Sequence, residues 1–242
     1  MSLIPESKSP IVDAASAQVI TVIGEPGIGK STFASQFPNA LFAATEPGLN
    51  FLEVYQAPIT SWEKFKTLCK ELSGSPKHIE TLIIDTIDIL YLHCTNHHNS
   101  LANDGEGVEH ASDNGKYGRG CGIINSDFRR VVSLLPLLRT NNGNPMGLVF
   151  VTHAKEVEVD TRTGKINQWR STLSGMADET VTGLSDIILF LTVHNDERII
   201  LTDKSERYTA KDRTGRLPGK LPLNYAAFAA ALGGENESNQ LE

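Results

Sequence analysis

Eight residues constrain this chain more than anything else in it. Residues 24–31 read GEPGIGKS, a full match to Gly, any four residues, Gly, Lys, and Ser or Thr. They follow a β-branched run at 18–24 (QVITVIG) and precede a helix-forming stretch from Lys30 to about Phe37. A strand, a glycine-rich turn and a helix in that order belong to an α/β sheet. In such a turn the backbone N–H groups of Gly24, Glu25, Pro26–Gly27, Ile28, Gly29, Lys30, Ser31 and Thr32 (all but the proline's) wrap a phosphate, and the helix start adds partial positive charge. Lys30 supplies a point charge for β- and γ-phosphates, and the Ser31 hydroxyl suits Mg2+. The expected ligands are therefore ATP and Mg2+.

Three strand ends then offer chemistry. Asp85 closes the apolar run Leu82–Ile84, so its carboxylate emerges at the sheet edge as the second metal ligand, although Asp-Thr also caps a following helix well. Glu46 closes residues 40–45 and reads either as a base that orients water or as a turn residue before Pro47. His153 closes Leu148–Val151 and reads either as a γ-phosphate sensor or as a neutral histidine satisfying a strand end. Asp88, one helical turn beyond Asp85, reads as solvent-facing.

The remaining outline alternates. Helices are expected at 61–72, with Ser61 as N-cap, from 86 to about 101, and at 124–138; strands are expected at 79–85 and 147–152. Residues 103–122 lack periodicity and read as a long loop. Residues 155–170 read as two strands around a Thr-Gly turn, with further strands at 186–193 and 197–202. The expectation is an α/β fold with a mostly parallel sheet flanked by helices, followed by C-terminal hairpins. It divides into a leader at 1–16, one domain at 17–231 and an acidic tail at 232–242.

Composition narrows the class. Of 242 residues, 40% are hydrophobic and 21% charged, which suits a globular protein; 22 basic against 29 acidic residues give −7, so any nucleic-acid contact is local. Cys69, Cys94 and Cys121 form no paired spacing, which fits a reducing cytosol, and no apolar run is long enough to suggest a membrane span or signal peptide. His93, Cys94, His97 and His98 share a helical stretch, with His110 and Cys121 downstream, but match no standard zinc spacing; exposed histidines around a buried cysteine are expected instead.

The motifs GEPGIGKS, ATEPGLNFL, TLIIDT, GKYGRGCG at 115–122 and VTHAKE at 151–156 together resemble the phage RecA-like ATPases. That group of phage nucleotide-binding or AAA-domain proteins includes the Sak-type single-strand annealing proteins. The resemblance spans about residues 17–225 and implies a RecA-like P-loop NTPase, with Glu46 as catalytic glutamate and His153 as sensor, where the family pattern has glutamine. AKDRTGR at 210–216 is similar to the K-x-R-x-G element by which RadA and DnaB-type ATPases reach a neighbour's nucleotide, which implies Lys211 and Arg213 as trans-acting fingers. Independently, residues 203–220 hold six basic and three acidic residues, and a solvated charged hairpin is the plainer account.

By the same resemblance two loops face single-stranded DNA: one with Lys116, Tyr117 and Arg119, the other with Arg162, Lys165, Gln168, Trp169 and Arg170. Acidic neighbours keep both from being clean basic patches. The implied activity is ATP hydrolysis coupled to binding and annealing of single-stranded DNA, in a self-assembled ring or filament, in a phage or prophage setting within the bacterial cytoplasm. A single-strand-binding protein is a further candidate partner. Two rivals stay open: a nucleotide-switched oligomeric scaffold for a protein partner, and a small-molecule P-loop kinase.

Overall fold

A computed structural model of the chain describes residues 15–102, 119–161 and 164–233. Ten strands form one connected sheet among them: β1 (Val19–Gly24), β2 (Ala40–Ala44), β3 (Tyr55–Pro58), β4 (Thr81–Asp85), β5 (Gly147–Thr161), β6 (Gly164–Ser171), β7 (Ile187–His194), β8 (Glu197–Leu201), β9 (Lys211–Asp212) and β10 (Lys220–Pro222). The order across it is β10-β8-β7-β1-β5-β4-β2-β3, with β6 paired to β5 and β9 to β7. Strands β7 to β3 along this path run parallel, and the later pairings of β8, β10, β6 and β9 are antiparallel. The expected architecture holds: an α/β fold with a mostly parallel sheet flanked by helices, and with hairpins in its last third.

Six helices cover the sheet among the described residues: α1 (Lys30–Ala34), α2 (Trp62–Gly74), α3 (Ile87–Ala102), α4 (Arg119–Val132), α5 (Gly175–Leu184) and α6 (Tyr225–Gly233). Strand alternation decides which helix meets which face. Leu82, Ile84, Leu148 and Phe150 point to one side, where Trp62, Phe65, Leu90, Phe128 and Val181 of α2 to α5 bury them. Ile83, Val149 and Val151 point to the other, against Phe33 of α1 and Phe228 of α6. Both faces are covered, as a parallel sheet requires.

Several boundaries differ from expectation. Ser61 caps α2 as expected, its side chain accepting from the Lys64 N–H. Helix α4 begins at Arg119, so residues 119–122 are helical rather than loop. Gly120 and Gly122 do not stop it because Ile124, Phe128 and Val132, four residues apart, bury one stripe in the core. It also ends early, at Val132, and a 3-10 turn at Leu135–Leu137 follows; Pro136 cannot donate an amide to a continued α-helix. Only short strands form within 203–220. At the C-terminal end α6 runs through Gly233, two residues past the expected domain limit. No described helix is long and apolar enough to cross a membrane.

Candidate nucleotide site

The phosphate loop leaves β1 at Gly24, where the backbone passes so close to β7 that an added Cβ would sit 2.9 Å from Ile28 Cγ2 and 3.1 Å from Leu191 Cβ. Gly29, the last residue before α1, has φ 108°, a left-handed conformation that strains any side chain. Lys30 is buried, and its Nζ donates to the Gly24 and Glu25 carbonyls, 2.9 Å each. Burial lowers its pKa, against the pull of Asp85, Asp88 and Glu46.

Parallel register gathers the other groups at this edge. Gly24 pairs with His153, Asp85 with Val151, and Ala44 with Asp85, so the ends of β1, β5, β4 and β2 lie side by side. The Thr45 N–H donates to the Asp85 carbonyl at 2.9 Å, and the Thr86 N–H to Thr45 Oγ1 at 2.6 Å. This stitch sets Glu46 beside Asp85. Ser31 Oγ donates to Asp85 Oδ2 at 2.6 Å. A hydroxyl and a carboxylate this close form a hard oxygen pair that suits Mg2+. Burial raises the Asp85 pKa despite the Ser31 hydrogen bond. Burial likewise lifts Glu46 above the usual glutamate range, opposed by His153.

These residues line one cavity of about 390 Å³, which includes Lys30, Ser31, Glu46, Asp85 and His153. Thr86 Oγ1, which belongs to a lining residue, and Asp88 Oδ1 are buried with no partner among the described residues. Such atoms cost stability unless something completes them.

Two residues of the site escaped the sequence reading. Asp88 is not solvent-facing: its Oδ2 meets His153 Nδ1 at 3.3 Å and accepts from Thr172 Oγ1 at 2.6 Å. The Thr172 N–H donates to the His153 carbonyl at 2.9 Å, so Asp88 clasps both roots of the β5–β6 hairpin. The second is Arg198 on β8, whose guanidinium stands 3.5 Å from where a Gly29 Cβ would lie. It lines the cavity, and its guanidinium makes no hydrogen bond or ion pair to another described residue. Alternation of charge along β8 gives no hint of this; only the pairing of β8 with β7, next to β1, brings it here.

The expected fingers lie elsewhere. Lys211 pairs with Ile188 at the start of β7, the sheet edge opposite the phosphate loop. Its Nζ donates to the Thr182 and Ser185 carbonyls, and Arg213 bonds the Gly183 carbonyl and Asp186, so both cap the end of α5 in their own chain. Neither lines the cavity of its own chain.

The expected DNA residues are only partly placed. Lys116, Tyr117 and Arg162 lie outside the described residues, and Arg119 is the first residue of α4. On the hairpin Lys165 pairs with Glu158, and Arg170 Nε donates to Gln168. Trp169 is half-buried in a small cluster with Phe190 and Tyr208, so its ring is a packing element rather than a free stacking platform. The histidine-rich helix resolves as a buried Cys94 with half-buried histidines beside it.

The strand order, the glycine-rich loop and the acidic strand ends define a nucleotide-binding ATPase of the P-loop class. A family model described as "AAA domain" matches residues 16–214, and the chain belongs to that family. No curated protein matches the chain in sequence. Among solved structures, the flagellar accessory protein FlaH from Methanocaldococcus jannaschii is similar over 77% of this chain and 76% of its own, at 10% identity and a TM-score of 0.40.

Proposed function

We propose that this protein hydrolyses ATP between adjacent copies of itself and couples turnover to binding and annealing of single-stranded DNA, in phage or prophage DNA metabolism. One observation carries the reading: Lys30, Ser31, Asp85, Glu46 and His153 share one cavity, and a long hairpin springs from its wall.

Lys30 now rests on two neutral carbonyls, and a phosphate's charge competes with them for its ammonium. Ser31 and Asp85 would hold Mg2+, which when bound draws charge from the β- and γ-oxygens. Glu46, its pKa raised by burial, takes the proton of the attacking water. His153, held by Asp88, reads the γ-phosphate and passes its position to the hairpin roots. Lys211 and Arg213, which face away from their own cavity, serve the neighbour's site in an assembly.

A second reading has its own observation. The hairpin's Lys165 and Arg170 already have polar partners, as suits a nucleotide-switched scaffold that binds protein instead of DNA. ATPase rates with and without single-stranded DNA, at low and moderate salt, separate the two, with Lys30→Ala as blank. Stimulation that fades with salt supports the annealing role. A Lys30-dependent rate indifferent to DNA, without DNA binding at low salt, moves the assignment to the scaffold.

A further inference from the structure

Away from the nucleotide cavity, α3 and α4 bring three different metal-ligating side chains together. Cys94 and His98, four residues apart on α3, share one face, and Asp127 of α4 faces them. A ligand atom from each (Cys94 Sγ, a His98 ring nitrogen, an Asp127 carboxylate oxygen) lies within 4.8 Å of the other two. His98 Nε2 and Asp127 Oδ2 are 2.9 Å apart. We infer that Cys94, His98 and Asp127 form a zinc-class metal site, with water as fourth ligand.

The chemistry of the donors argues for zinc over harder ions. One thiol, one imidazole and one carboxylate is a borderline-soft set, whereas Mg2+ and Ca2+ take oxygens. The surroundings are built for a ligand carboxylate. The Trp62 indole N–H donates to Asp127 Oδ2 at 2.8 Å, and Arg130 to Asp127 Oδ1 at 2.6 Å, which hold the group in place while lone pairs remain. Outer partners of this kind orient metal ligands. Cys94 Sγ meets only the Ile124 carbonyl, at 3.8 Å, so its lone pairs are free of strong partners. Cys94 is fully buried, while the His98 and Asp127 side chains are 18% and 12% exposed, which leaves a way in from solvent.

Two other readings of the trio fit less well. A nucleophilic triad needs the histidine to use one nitrogen for the acid and the other for the thiol, and here the Cys94 thiol is turned to the Ile124 carbonyl instead. A plain hydrogen-bonded knot accounts for His98 and Asp127 but gives Cys94 no part. A metal here would pin α3, which starts two residues after Asp85, to α4.

The test is Co2+ and Zn2+ titration of the full-length, metal-stripped protein, read by absorbance and by thermal melting. The expected result is one equivalent of Co2+ giving strong visible bands of a tetrahedral site plus near-ultraviolet thiolate charge transfer, displaced by Zn2+, with a higher Tm for the loaded form. Cys94→Ser should abolish the charge-transfer band, and Cys69→Ser and Cys121→Ser should keep it. Because Cys94 is buried, His98→Gln serves as a second variant and should weaken Co2+ affinity on the order of 10-fold or more. Absence of the bands in folded protein, or bands that persist in both Cys94→Ser and His98→Gln, overturns the site.

Discussion

The two halves of β5 make opposite bargains with charge. Up to Thr152 the strand is apolar and buried, and the groups around its end are left incomplete: among the described residues Asp88 Oδ1 has no hydrogen-bond partner and the Arg198 guanidinium has none to spend its charge on. From Ala154 onward the same strand runs out beside β6, and charges on the hairpin find neighbours within it, Lys165 with Glu158 and Arg170 with Gln168. Exposed pairs of this sort contribute about 0–1 kcal/mol, so the arm gains little by them and loses little without them. A buried carboxylate oxygen without a partner costs more. The incomplete end is where a ligand finishes the structure; the complete one is where the fold already has.

Substitutions can break that contrast. The largest effect belongs to Glu46→Gln, which should lower kcat by about 10²- to 10⁴-fold while nucleotide binding survives, measured by steady-state ATPase and equilibrium titration. The base acts ionised, and burial raises its pKa, so the acidic limb of the wild-type kcat/KM profile should sit above the ordinary glutamate range and disappear in the variant. Next comes Asp88→Asn, which keeps the shape but removes the charge that holds His153; kcat should fall on the order of 10-fold with KM for ATP unchanged. Combined with His153→Ala it should cost no more than the worse single change, since both remove one contact.

Arg198→Ala should act on binding alone, raising KM for ATP about 2- to 5-fold at constant kcat, as a partly exposed ion pair of up to ~1 kcal/mol permits. The smallest effect on the folded protein is expected on the arm. Lys165→Ala with Arg170→Ala should shift stability by no more than about 0.5 kcal/mol, yet lower the salt dependence of single-stranded DNA binding by about two phosphate contacts. An unchanged salt slope takes the arm out of the DNA surface and favours a protein partner.

How much of this was legible depended on sequence distance. The phosphate loop is contiguous because backbone amides, lysine and serine must all meet one phosphate, so residues 24–32 can be read directly. Asp85, Glu46 and His153 were legible because each ends an apolar run, and parallel register brings such ends together. Asp88 and Arg198 carry no local sign: His153, which Asp88 meets, lies 65 residues away, and Arg198 reaches the cavity only through the pairing of β8 with β7. Strand β3 and helices α5 and α6 are absent from the sequence-derived outline. β3 is four residues long and ends in Pro58, and α6 is apolar nearly all round, so periodicity had nothing to mark. Trp169 looked free to stack because its partners, Phe190 and Tyr208, come from later strand and loop segments.

The hairpin's attachment has a mechanical side. Eight residues of β5, Ala154 to Thr161, extend past the sheet edge, a reach of about 26 Å at strand spacing. Both of its feet are bolted to a single carboxylate, Asp88, at His153 and Thr172. In lever terms the load arm is long and the effort arm is one side chain: a tilt of about 10° at the feet carries the tip about 4.5 Å, close to the spacing between neighbouring strands. A change no larger than a rotamer at the pocket is thereby geared up to the scale on which the arm would touch whatever lies beside it.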